Sequence, residues 1–135
     1  MNAKRLLLVA VSALLLAFPT LLAGDFNALP FAVTLGGQKA VAEKADSTHA
    51  TIAEPVASGA ELVVDTKEAM VIVNIFDCDA QGNVASGVQP LIVLMQGTNK
   101  SPISKTMDGK VAKPGHHIMN IVAGGQTARV FFTVK

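Results

Sequence analysis

The chain has no tryptophan, no tyrosine and a single cysteine, and only 16% of its 135 residues are charged. One cysteine, Cys78, cannot staple a fold by itself, so no internal disulfide supports this domain. Cys78 is left as a buried small hydrophobe, one half of an intermolecular disulfide, or a soft metal ligand. With six phenylalanines as its whole aromatic set, the chain has little surface on which sugars or bases could stack. Formal net charge is +1, and removal of the first 23 residues would leave nine basic against ten acidic side chains. That balance provides no electrostatic basis for nucleic-acid binding. The sequence also lacks a Gly-x-Ser-x-Gly elbow, a His-Glu-x-x-His pair and a paired-acid pattern. No enzyme chemistry is therefore expected.

Apolar residues make up 50% of the chain and are unevenly placed. Lys4 and Arg5 precede an apolar run from Leu6 to Ala17 that only Ser12 interrupts, and Pro19 follows. A charged start with an apolar centre is the pattern of a secretory signal over 1–23, with Ala40-Val41-Ala42 as an alternative cleavage point after 42. The expectation is export to the periplasm or the medium; membrane association follows only if the leader stays uncleaved, and its apolar stretch Leu6–Ala23, 18 residues with an internal proline, barely spans a bilayer.

Residues 24–60 are expected to form a flexible linker, because the stretch from Glu43 to Ala60 mixes Ala, Ser, Thr, charge and proline without period. The folded domain is then 61–135. Strands are expected over Glu61–Asp65, Ala69–Asp77, Val88–Gln96, His116–Ala123 and Gln126–Val134, with a shorter one at Ser104–Met107. Turns fall at Asp79–Asn83, Asp108-Gly109, Pro114-Gly115 and Gly124-Gly125, and Gly97–Pro102 is expected to be loop. In the last strand Ala128, Val130, Phe132 and Val134 alternate with Arg129, Phe131 and Thr133, so one face belongs to a core. The expected fold is all-β, a small Greek-key, immunoglobulin-like sandwich behind a signal peptide and a linker. Its expected core is Val71, Val73, Ile75, Ile92, Leu94, Ile121, Val130, Phe132 and Val134.

Charge is segregated along the chain: eight acidic and two basic residues lie between Glu43 and Asp79, and six basic and one acidic between Gly97 and Lys135. Either the two halves neutralise each other across paired strands or the domain has a dipolar docking face.

Two resemblances accompany these patterns. The succession Val71-x-Val73-x-x-Phe76-Asp77, Asp79-x-x-Gly82-Asn83, Pro90-Leu91-x-Val93, Thr106-x-Asp108-Gly109-Lys110-Val111 and Lys113-Pro114-Gly115, closing through Asn120–Val134, resembles the immunoglobulin-like or transthyretin-like accessory domains of bacterial exported proteins. It covers about half the chain and implies a fold whose members bind, space or present. Separately, twenty-one residues separate Met95 from His117, and Met119 follows two positions on. This spacing, with the local Lys113-Pro114-Gly115 text, is similar to the ligand signature of periplasmic copper chaperones. It implies Met95, His117 and Met119 as a thioether and imidazole set suited to Cu(I). The fourth ligand position is Val84, and methionines are equally suited to filling a core.

Asp77-Cys78-Asp79-Ala80-Gln81-Gly82 opens like a calcium loop, yet Val88 stands where the closing glutamate belongs. His116 and His117 are consecutive and on a strand face opposite ways. His49 falls in the expected linker, where it would be solvated. The expected function is an exported, non-catalytic β-sandwich that binds an unidentified protein partner, self-associates or builds an envelope assembly, without cofactor. The alternative is a periplasmic Cu(I) carrier.

Overall fold

A computed structural model of the chain describes residues 28–45 and 47–135. The leader expected over 1–23 lies outside the described residues. No helix occurs among those residues; they form nine strands in two facing sheets, an all-β sandwich. The strands are β1 (Val33–Leu35), β2 (Gln38–Lys39), β3 (Ala50–Thr51), β4 (Glu61–Val64), β5 (Met70–Asp77), β6 (Leu91–Gln96), β7 (Lys100–Pro102), β8 (Gly115–Ala123) and β9 (Gln126–Val134). One sheet has the order β2-β1-β4-β7 and the other β3-β9-β8-β5-β6.

The five-stranded sheet is organised around β5, which pairs antiparallel with β6 on one side and β8 on the other. After β6 the chain crosses to β7 in the opposite sheet and returns as β8 beside β5, the Greek-key crossing of a sandwich. β8 and β9 form a hairpin closed by Gly124 and Gly125, whose φ angles of 57° and 78° are those of a two-residue turn that non-glycine residues rarely adopt. That turn carries the right-handed twist directly from strand to strand.

The core lies between the sheets. Val71, Val73 and Ile75 from β5, Met119 and Ile121 from β8, and Ala128, Val130, Phe132 and Val134 from β9 fill it from one side. Val33, Leu35, Leu62 and Val64 fill it from the other. Inward-facing residues alternate along β5, β8 and β9, as the sequence predicts for the last strand, while β5 carries apolar residues on its outer face as well, Ile72 and Phe76 among them.

Three expectations are corrected. Residues 24–60 are not a linker from Ala28 onward: β1 pairs with β4, β3 lies parallel to β9, and Val33, Leu35, Ala50, Ile52 and Val56 are all buried. Each of these short pieces docks on a strand that the second half supplies, which local composition cannot register. Cleavage after 42 would accordingly remove β1 and β2 from a finished sheet. In β6, Val93 and Met95 face the core, whereas Leu94 is 38% exposed and Ile92 half-buried. An uninterrupted apolar run has no polar face to reveal its orientation. Finally, the strand after β6 is Lys100–Pro102 rather than Ser104–Met107, and Ser101 is held against Leu62.

Truncating Leu35 tests whether the early strands belong to the core. Leu35→Ala should lower unfolding free energy by about 2–5 kcal/mol, measured by urea denaturation; an effect near zero would restore the linker.

Candidate functional site

Register decides the fate of the copper set. Met95 is opposite Val71 on β5, Met119 opposite Ile75 and His117 opposite Asp77. All three are buried on the core side. Six residues of β5 separate the Met95 and His117 levels, roughly 20 Å at the rise of a strand, and β5 itself stands between β6 and β8. Met95 therefore cannot share an ion with the other two.

His117 is engaged elsewhere. Its Nε2 donates to the Lys113 carbonyl at 2.7 Å, which places a proton on that nitrogen because a carbonyl can only accept. Nδ1 lies 3.0 Å from Asp77 Oδ1, too poorly aligned for a hydrogen bond. The ring also stacks on Phe132, with centroids 5.4 Å apart. His117 and Met119 alternate along β8 and share a face, but the pair supplies only two donors. No group of three or more His, Cys, Asp and Glu suited to a metal occurs among the described residues.

The other histidines lie on the outside of the same sheet. His116 faces away from the core as expected, stacks on Phe131 at 5.6 Å and lies 3.2 Å from Thr133 Oγ1. His49, expected to be solvated, instead rests 5.8 Å from the same Phe131. Burial and then the nearby Arg129 charge lower its pKa from the usual histidine value.

The loop after β5 spends its carboxylate on itself. Asp79 Oδ1 accepts the backbone N–H groups of Gln81 and Asn83, both at 2.9 Å. The Asn83 amide above all, with those of Gln81 and Gly82, holds the Asp79 carboxyl below the usual carboxylate range. The calcium-like opening is thus a self-contained turn. Beside it, burial first, and then the Asp79 and Asp77 charges, push the Cys78 thiol up. A raised thiol is a poor nucleophile and a poor metal ligand at neutral pH.

What the fold leaves open is a backbone edge. Gly97 N–H donates to Ala69 C=O at 2.8 Å, which fixes the alternation of the β5–β6 ladder. Leu91, Val93 and Met95 therefore bond to β5, and Ile92, Leu94 and Gln96 direct their N–H and C=O groups outward. The Ile92 carbonyl accepts from Met107 N–H at 2.8 Å. Among the described residues, no hydrogen bond reaches the outward groups of Leu94 and Gln96.

The neighbouring edge, β7, is closed. Thr98 Oγ1 bonds both the N–H and the C=O of Lys100, Pro102 has no N–H, and its carbonyl accepts from Lys105 N–H. The far side of the sandwich is closed as well: β3 is two residues long, and Val41 and Thr51 exchange two backbone bonds there. Between β6 and β7 runs a groove of about 290 Å³ lined by Leu94, Gln96, Thr98, Lys100, Pro102 and Lys105. On the outer sheet surface Leu94 stands beside Ile72, and Ile72 beside Val122, with Met70 47% exposed next to them.

Pro90 confines the start of the expected Val88–Gln96 strand to an edge or a bulge, and β6 is an edge strand; its apolar run nonetheless reads as interior, which hid the edge as a site. The signal that could have found it is chemical: Leu91–Gln96 contains no charge and no proline, the devices that normally blunt an edge. Comparison with known proteins gives no match among family models, curated proteins or solved structures.

Iodoacetamide labelling tests the account of the thiol. Half-maximal labelling of Cys78 should fall at higher pH than for an unstructured cysteine, near 8.5, and move toward that value in urea; labelling centred near pH 7 would contradict it.

Proposed function

We propose that this protein is an exported, non-catalytic binding module that captures a partner protein by adding one of its extended segments to the free edge of β6. The observation that carries this is the outward N–H and C=O groups of Leu94 and Gln96, which have no partner among the described residues, on a sandwich whose other described edges are covered or blunted. A strand laid there makes backbone hydrogen bonds without requiring a particular sequence. Its side chains on the outer surface would extend the apolar row of Leu94, Ile72 and Val122. Export is supported by Lys4 and Arg5 ahead of the apolar run Leu6–Ala17.

The Cu(I) carrier reading has no equivalent support. Met95 lies levels away from His117 and Met119, and one imidazole nitrogen is committed to Lys113.

An uncharged Val-Thr-Val-Thr-Val peptide, capped at both ends, serves as the probe. Saturating peptide should slow amide exchange at Leu94 and Gln96 while leaving Val93 and Met95 unaltered. Leu94→Pro, which deletes an outward N–H and no bond to β5, should abolish the effect with the fold intact. Unchanged exchange at both amides at saturation would overturn the proposal.

A further inference from the structure

The β6 edge is flanked by positive charge without counter-charge. Lys100 and Lys105 both line the groove beside Leu94 and Gln96. Among the described residues neither has a carboxylate within ion-pair distance. No acidic side chain lines that groove at all. The acidic residues are concentrated earlier in the chain, between Glu43 and Asp79; one of them, Glu61 on β4, lies opposite Pro102 on the strand that carries Lys100 but makes no ion pair with that lysine and does not line the groove.

Resting on the edge-addition reading, we infer that the partner segment is an extended strand in which acidic and apolar residues alternate. The strand's own geometry sets the order. A partner residue opposite Leu94 shares Leu94's side of the sheet and meets the apolar outer surface. Residues opposite Val93 and Met95 turn to the other side, into the groove that holds the two lysines. Carboxylates at these two positions, spaced two residues apart around an apolar one, meet Lys100 and Lys105.

A second copy of this chain does not meet that requirement. Leu91–Gln96 contains no carboxylate, so β6 paired with its own twin would bring four lysines together without an acidic residue on the added strand to meet them. The positive groove thus favours a foreign acidic strand over self-association by the same edge.

The test compares capped Val-Glu-Val-Glu-Val with Val-Lys-Val-Lys-Val on the full chain, with amide exchange and amide chemical shifts of Leu94 and Gln96 as readouts. The glutamate peptide should bind roughly tenfold more tightly at low salt, two exposed ion pairs being worth about that much. The preference should fade toward 1 M salt, where screening acts within about 3 Å. Lys100→Glu with Lys105→Glu should reverse the order; Lys105→Gln alone, a milder change, should narrow it. Equal binding of the two peptides, still with protection of Leu94, would overturn the acidic partner and leave edge addition standing. No protection of Leu94 by either peptide would overturn both.

Discussion

Every strand in a sheet carries backbone groups that point sideways, and at the last strand those groups must find another partner or remain in water. Much of this small protein is arranged around that requirement. At one side of the sandwich the chain answers it with very short strands and the reciprocal bonds of Val41 and Thr51. At β7 it uses proline, a threonine side chain and a tight turn. At β6 the described residues cover only the Ile92 carbonyl. The domain's single long open edge among its described strands is therefore a matter of which groups the chain closes, and the basic groove lies beside it.

The edge is held in place by the core behind it. β5 binds β6 through Leu91, Val93 and Met95 and binds β8 through the alternate residues, so one central strand fixes the level of everything else. That same ladder places Met95 opposite Val71 and His117 opposite Asp77. A methionine, a histidine and a second methionine that look like a ligand set along the chain are distributed over three levels of one packed interior. Burial of Met95 and Met119 is the ordinary use of a flexible apolar side chain in a tight core.

How much of this the sequence disclosed depends on where the determining contacts lie. β5 was legible as a β-branched run apolar on both faces, and β8 and β9 from the Pro114-Gly115 and Gly124-Gly125 turns that bound them and the alternation along β9, all of them local signals. β6 was legible as a strand but not in orientation, since Ile92 to Met95 are all apolar and either face would suit a core. β1 and β3 were not legible: Val33-Thr34-Leu35 and Ala50-Thr51 are too short to show a period, and they become strands only by docking on β4 and β9. β7 reads as loop because lysine and proline, the residues that blunt its edge, are also loop residues. An open edge is a property of topology, so no motif announces it.

Residue-resolved hydrogen exchange of the full chain reads out whether the outward groups of Leu94 and Gln96 are free in the isolated protein. An open edge gives a sharp alternation along β6: slow exchange at Val93 and Met95, which bond to β5, and fast exchange at Leu94 and Gln96. Strong protection of Leu94 and Gln96 without any added partner would mean that the edge is already occupied, and would contradict an open β6.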